Sequence, residues 1–336
     1  MNKFKSLGVL ILVLLMIFAY GVNVEADTEV LRAGLILPPD HAHTQAAERV
    51  AETVYEETDG GVEIQVFPAN QLGTAPDLVE GLRAGTVDMF IGATTWMNFL
   101  DIDWAVLGTF YLFDNQEMCR NNHLENPYFL EMKERLEEDF GIITLTQDWD
   151  RRGRHFVTTE ETGPIETPED LEGLEVRSSE QDVWLETFRM AGAEPTPIAF
   201  EELFMGLQQG IIDGMEGALE WIRDNRYYEV APHISLTGHN FEQGGVYISE
   251  SSYNDLDEDE REIVMESFRD ISDWHNELAA EREEEAIEEM EEAGAEIHEV
   301  DRDLWQSHFR DILWPDLQEE IGFSQELLES IMDDWE

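Results

Sequence analysis

Hydrophobic positions recur with two different periods along the first third of the chain and predict an α/β unit. The apolar run 30–37 indicates a buried strand, and the alternating segment 62–67 indicates a second strand. Apolar residues at helical spacing predict helices over 44–58 and 75–84, and a third strand follows over 87–91. This alternation of strands and helices is typical of a domain with a largely parallel sheet.

The same order of elements returns further along the chain. We predict a short strand over 174–177, helices over 183–191 and 201–209, and a strand beginning near Ile211. The segment 259–293 reads as one long helix with acidic residues on its exposed face. The fold class is therefore α/β with two lobes, each a mostly parallel sheet flanked by helices, and the long C-terminal helix is expected to cross both lobes.

The pattern suggests where the chain passes from one lobe to the other. We expect lobe I to contain residues 27–151 and about 243–280, and lobe II to contain 152–242 and about 281–336. Clefts between domains are where small ligands are preferentially held, so the ligand cleft is expected between the lobes.

Residues 1–26 have the pattern of a secretory signal peptide. Lys3 and Lys5 precede an apolar run from about Leu7 to Tyr20, and a small-residue cleavage site ends near Ala26. The run is shorter than the roughly 20 residues of a membrane-spanning helix. We therefore expect an exported chain in the periplasm or another extracytoplasmic space, without membrane insertion after cleavage.

The chain is extremely acidic, with 20 Lys and Arg against 76 Asp and Glu and a net charge of −56. Loss of Lys3, Lys5 and Glu25 with the signal peptide removes two positive charges and one negative, which leaves −57. Repulsion of this size is screened at molar salt, so the composition indicates a halophilic source and disfavours nucleic acid and anionic membranes as partners. Cys119, the single cysteine, excludes an intramolecular disulfide.

Three long segments resemble one known family. They are FPANQLGTAPDLVEGLRAGTVDMFIG (67–92), RHFVTTEETGPIETPEDLEGLEVR (154–177) and AGAEPTPIAFEELFMGLQQGIIDGMEG (191–217). They resemble the solute-binding subunits of tripartite ATP-independent periplasmic (TRAP) transporters, of the dicarboxylate-binding (DctP) type. The resemblance implies a two-lobed protein that captures a small organic carboxylate and delivers it to membrane permease subunits driven by an ion gradient, without ATP. A ligand-presenting sensor subunit for a membrane receptor is the alternative.

The resemblance also implies which residues bind the ligand. Arg177 matches the family arginine that holds the ligand carboxylate, and its planar guanidinium suits both carboxylate oxygens. Arg154 matches a second arginine, although its neighbours Arg151 and Arg152 could serve instead. Phe200 matches a pocket aromatic residue.

One position departs from the family pattern. Gly217 stands where the family often has an asparagine that contacts the ligand, so we expect room there for a bulkier ligand or a water molecule. Ala93 stands where sialic-acid binders carry a glutamate, which disfavours that ligand, and an apolar first strand disfavours ectoine. Which carboxylate is bound stays open.

Three tryptophans are candidates for the rest of the pocket: Trp96, Trp149 and Trp221. Trp96 follows the third predicted strand, at the edge where open α/β sheets bind ligands. For all three, core packing is the competing interpretation.

Catalysis and metal binding have no recognisable machinery in the sequence. The nucleophile-elbow, zinc-protease and phosphate-loop motifs are missing, so we expect a binding protein rather than an enzyme. His41 and His43 lack an evident third metal ligand, and we expect both to be exposed in a loop. No metal or cofactor is assigned, although the family leaves open a divalent cation bridging ligand and protein. We expect a monomer.

Overall fold

The computed structural model describes residues 28–198 and 202–332. The predicted signal peptide and Phe200 lie outside the described residues. The strands are β1 Glu29–Gly34, β2 Val62–Phe67, β3 Met89–Ala93, β4 Ile142–Thr158, β5 Glu175–Ser178, β6 Glu194–Pro197, β7 Gly214–Ala218, β8 His233–Ser249 and β9 Glu296–Glu299. The α-helices are α1 Ala42–Glu57, α2 Ala75–Ala84, α3 Gln116–Glu125, α4 Pro127–Phe140, α5 Asp182–Met190, α6 Leu203–Gln208, α7 Leu219–Asp224, α8 Glu250–Asp255, α9 Glu258–Asp270, α10 Ser272–Glu292, α11 Arg302–Ser307, α12 Trp314–Ile321 and α13 Gln325–Met332. Short 3-10 helices cover Thr94–Phe99, Ile102–Gly108, Pro168–Leu171 and Tyr227–Glu229, and one π-helical turn covers His308–Leu313.

One mixed sheet runs through the whole molecule in the order β2-β1-β3-β8-β4-β7-β5-β6, with β9 beside β8. The outer strands pair in parallel: β1 with β2 and β3, and β5 with β6 and β7. The two long central strands β4 and β8 pair antiparallel along their length. They carry the chain between lobe I, with β1 to β3, and lobe II, with β5 to β7. The expected α/β fold with two lobes is confirmed.

Local capping signals explain why the helices of lobe I start and stop where they do. Thr74 and Asp77 form a reciprocal capping box at the start of α2, with a proline in its first turn, and Gly85 ends the helix in the left-handed conformation. The side chain of Asn126 caps α4 by accepting from the backbone N–H of Tyr128, and Gly141 ends that helix in the left-handed conformation. The turn residues therefore fix α2 over the same range as its apolar spacing predicted.

The buried apolar side chains form three clusters. One lies in lobe I between β1, α1 and α9, and a second lies in lobe II between β7, α6 and the end of α10. The third and largest runs along the other side of the sheet and includes side chains of α2, α5, α12 and α13. The C-terminal helices thus pack against residues of both halves of the chain.

The expected single C-terminal helix is wrong in one respect, because it is broken into α9 and α10 at Ile271. The indole Nε1 of Trp149 donates to the carbonyl oxygen of Phe268 at 3.3 Å, the oxygen that Ser272 would bond in a continuous helix. α10 still spans both lobes: His275 contacts Trp149 in lobe I, and Met290 lies in the core of lobe II.

None of the described helices is both long enough and apolar enough to cross a membrane.

Candidate functional site

Two adjoining cavities lie between the lobes, beside the middle of the long central strands. Their volumes are about 190 and 40 Å³. Both are lined by Ile36, Arg151 and Arg154, so they form one cleft. The larger cavity is also lined by His41, Ala69, Asn70, Ala218, Trp221 and Asn225, and the smaller by Ala93, Thr95, Trp96, Arg177, Ser179, Gln181, Trp184, Glu216 and Glu242. The cleft is therefore basic and aromatic, with two buried carboxylates in its wall.

A bulge in β4 brings Arg151 and Arg154 into the same cleft. Residues three apart in a regular strand point to opposite faces. The register with β8 shifts between Asp150 and Arg152, and Arg152 has a φ of 66°. The extra residue turns the strand so that Arg151 and Arg154 line the same cavities, while Arg152 binds Glu283 on α10.

Arg154 is held by two carboxylates of the protein itself. Its Nη2 donates to Glu216 at 2.8 Å and its Nη1 donates to Glu242 at 2.7 Å. Burial works to lower the pKa of Arg154, but the charges of Glu216 and Glu242 outweigh it and raise the pKa. Burial would also raise the pKa of Glu216, and the Arg154 charge reverses this and holds that pKa well below its usual value. Arg154 therefore forms a buried ion-pair cluster with these two glutamates.

Arg151 is less fully engaged than Arg154. Its Nε lies 3.4 Å from Glu242, and its Nη1 is buried with no hydrogen-bond partner among the residues that the structure describes. Burial lowers the pKa of Arg151, with the Arg154 charge adding to the effect. A buried guanidinium donor without a partner costs free energy that an anionic ligand would offset.

Arg177 lies at the end of β5 and lines the smaller cavity. It is only 4% exposed, and its Nε donates to the carbonyl oxygen of Ile198 at 3.3 Å. Burial lowers the pKa of Arg177 to about 10, and the nearby charge of Arg154 contributes to the lowering. Burial therefore disfavours the charge on Arg177, while the charge of Glu216 favours it in part.

The charged side chains that line the smaller cavity, among the described residues, are the guanidinium groups of Arg151, Arg154 and Arg177 and the carboxylates of Glu216 and Glu242. Burial lowers the pKa of the neighbouring His239, which favours its neutral form. The guanidinium groups offer charged donors to a ligand carboxylate.

Three tryptophans form the aromatic part of the cleft. Trp96 stacks on Phe99 in lobe I, and Trp221 packs against Tyr227 in lobe II. Trp184, which the sequence did not single out, lies under the guanidinium of Arg154, with 5.1 Å between the guanidinium carbon and the ring centroid.

Gly217 leaves less room than the sequence led us to expect. A Cβ at this position would lie 2.6 Å from the indole of Trp221. The glycine therefore lets the Trp221 ring lie directly over β7, and the space of an asparagine side chain is taken by that ring. The expected space for a bulkier ligand at this point is wrong.

Trp149 lies in the core of lobe I, where its fully buried ring stacks on His275. Core packing therefore accounts for it. The expected exposure of His41 and His43 is also wrong, because they are 5% and 0% exposed at the start of α1. The predicted pocket residue Phe200 lies outside the described residues.

Direct hydrogen bonds join the two lobes across the cleft. Asn98 Nδ2 donates to Gln181 Oε1 at 2.9 Å, and the backbone N–H of Ala42 donates to Glu220 at 2.9 Å. His41 lies 3.6 Å from the other oxygen of Glu220. These contacts hold the lobes in a closed arrangement.

Comparison with known proteins identifies the family. Residues 33–319 match the model of the bacterial extracellular solute-binding proteins, family 7 (DctP). The chain belongs to this family. The resemblance seen in the sequence is thereby confirmed, and the family is one of binding proteins rather than enzymes.

Individual relatives agree with this assignment. The chain is 30% identical to a solute-binding protein of Roseobacter denitrificans over 88% of this chain and 89% of the relative. It is also similar to a TRAP periplasmic solute-binding protein of Chromohalobacter salexigens solved with bound D-glucuronate, with 27% identity, a TM-score of 0.82, and coverage of 90% and 98%. A Sulfitobacter homologue with bound β-D-galacturonate gives 25% identity, a TM-score of 0.83, and coverage of 90% and 99%.

Proposed function

We propose that this family 7 protein is the solute-binding subunit of a TRAP transporter and that its ligand is a sugar acid with a single carboxylate, of the uronate class. The observation that carries the proposal is the buried Nη1 of Arg151, which has no hydrogen-bond partner among the described residues and belongs to a cleft that Arg154 and Arg177 also line. Two structural relatives have a uronate bound, which supports the same ligand class.

The size and lining of the cleft favour a compact, hydroxylated ligand. The larger cavity, of about 190 Å³, is below the roughly 300–1,000 Å³ of sites for drug-sized molecules. Arg177 and Arg151 would take the carboxylate, and Ser179, with a buried hydroxyl lacking a hydrogen-bond partner among the described residues, would take a ligand hydroxyl. The Trp221 ring offers an apolar face to a sugar ring.

The remaining features of the proposal concern the setting of the protein. Residues 1–26 would direct export and be removed near Ala26, and the mature protein would act outside the cytoplasm as a monomer without a cofactor or catalytic activity. Lobe I would comprise 27–151 and about 243–280, and lobe II 152–242 and about 281–336. A closed, loaded form would dock on the permease subunits.

A thermal-shift screen of the mature chain in about 2 M NaCl tests the ligand class. D-glucuronate and D-galacturonate should raise the melting temperature, because a ligand at 100 times its Kd adds about 2.7 kcal/mol to the free energy of unfolding. The matched controls are the neutral sugars D-glucose and D-galactose, which lack the carboxylate, and succinate, which has a second one. A shift with the neutral sugars equal to that with the uronates would overturn the proposal.

A further inference from the structure

A second cluster of ligating side chains lies in lobe II, away from the cleft. β9 pairs in parallel with the first residues of β8, with His233 opposite Glu296 and Ser235 opposite His298. Ile297 packs against the core of lobe II, so its neighbours Glu296 and His298 share the other face of the strand. His233 meets both of them on that face.

Three donor atoms converge there at the spacing of metal ligands. Nδ1 of His233 lies 3.2 Å from Nε2 of His298 and 3.5 Å from Oε2 of Glu296, and the last two atoms are 3.9 Å apart. The circle through these three atoms has a radius of about 2.1 Å, which is the length of zinc–nitrogen and zinc–oxygen bonds. An ion near its centre would reach all three donors with little rearrangement.

The donor set also indicates which cations would bind. Two imidazoles and one carboxylate suit Zn²⁺, Ni²⁺ and Cu²⁺, whereas Mg²⁺ and Ca²⁺ prefer a shell of oxygen atoms. The other ring nitrogen of His233, Nε2, lies 3.8 Å from Glu160. A carboxylate on that side favours the tautomer in which Nδ1 is free to bind a metal. Within residues 28–198 and 202–332, no other group of three such side chains converges in this way.

We propose that His233, Glu296 and His298 bind one divalent transition-metal ion of the zinc type, with water completing the coordination. The ion joins β8 to the strand that follows α10, the helix that spans both lobes. Bound metal therefore fastens the end of α10 to lobe II.

Calorimetric titration of the chelator-treated mature chain with Zn²⁺ alone, in molar NaCl, tests the proposal. We expect one ion per chain and an affinity at least tenfold weaker in both His298→Gln and Glu296→Gln. The matched controls are His308→Gln, which removes a histidine elsewhere, and Glu299→Gln, which removes an exposed carboxylate of the same strand; both should bind like the parent protein. Equal binding by His298→Gln and the parent, or Zn²⁺ taken up only by many equivalent weak sites, would overturn the proposal.

Two further measurements separate the metal site from general effects on the fold. Zn²⁺ should raise the melting temperature of the parent protein and of His308→Gln but not of His298→Gln, and an equal concentration of Mg²⁺ should not reproduce the rise. The melting temperatures without metal should agree, because His298 is partly exposed and outside the core. A rise with Zn²⁺ that is unchanged in His298→Gln would place the ion elsewhere.

Discussion

Replacement of Arg177 by methionine tests whether this arginine binds the ligand or only stabilises the fold. Methionine keeps much of the side-chain volume and removes the charge. If the carboxylate of the ligand is buried against Arg177, removing the guanidinium leaves that carboxylate without a partner. This weakens the free energy of binding by about 3–5 kcal/mol. This free energy corresponds to a rise in Kd of roughly two to three and a half powers of ten.

The stability without ligand should change much less than the affinity. Burial lowers the pKa of Arg177 from 12.5 to about 10, which disfavours the charge in the folded protein by about 3 kcal/mol. Methionine removes this penalty together with the polar contacts of the guanidinium, among them the hydrogen bond to Ile198, each worth about 1 kcal/mol. We therefore expect the two effects on the free energy of unfolding of Arg177→Met to offset each other in large part.

Calorimetry with D-glucuronate and urea unfolding without ligand measure the two effects. Arg189→Met is the matched control, since Arg189 is an exposed arginine of lobe II paired with Glu186, and it should change neither quantity. Arg177→Lys should bind at an intermediate level because it keeps the charge and loses the planar fork. An unchanged Kd together with a loss of stability of several kcal/mol in Arg177→Met would refute the reasoning and make Arg177 a structural cation.

Three other predictions follow from the charges of the protein. Arg154→Met should lower the free energy of unfolding by about 3–5 kcal/mol even without ligand, because it strands Glu216 and Glu242; urea unfolding at the parent's level would contradict the ion-pair cluster. Burial raises the pKa of Glu220 to about 7, so the closed form binds a proton between about pH 4.5 and 7. The ionised Glu220 therefore lowers the free energy of unfolding by about 3 kcal/mol above pH 7 and by nothing below pH 4.5. Glu220→Gln should not show this loss. Thermal unfolding of both proteins from pH 4.5 to 8 should show that the difference between their melting temperatures shrinks as the pH falls. Raising NaCl from about 0.1 to 1 M should increase the melting temperature, because the Debye length falls from about 10 to 3 Å. Sucrose at equal osmolality should increase the melting temperature less. An equal increase with sucrose would argue against charge screening.

The sequence predicted the outer parts of the sheet well and the centre poorly. The predicted bounds 62–67 and 75–84 are those of β2 and α2, because an alternating strand and a capped amphipathic helix each carry their own local signal. The central strands β4 and β8 are buried along nearly their whole length and contain bulges. Without an exposed face they have no alternation to read.

Some residues of the candidate site could likewise be predicted from the sequence, and others could not. Trp96, Trp221 and Arg177 lie at the cleft where the resemblance and the strand ends placed them, although the ligand-binding role of each stays a prediction. Arg151 could not be preferred to Arg152 from the sequence, because the choice depends on a bulge that only pairing with β8 reveals. The partners of Arg154 lie 62 and 88 residues away in the chain, so no local pattern points to them.

The site shows how so acidic a protein can bind an anion. Its net charge of −56 repels anions at long range, and molar salt removes that repulsion together with any attraction beyond a few ångströms. Selective binding must then come from groups in direct contact with the ligand and shielded from salt. Glu216 and Glu242 hold Arg154 in place, and the guanidinium groups of Arg151 and of the buried Arg177 line the same cleft. The acidic surface and the basic cleft therefore act over different distances, and salt weakens the first far more than the second.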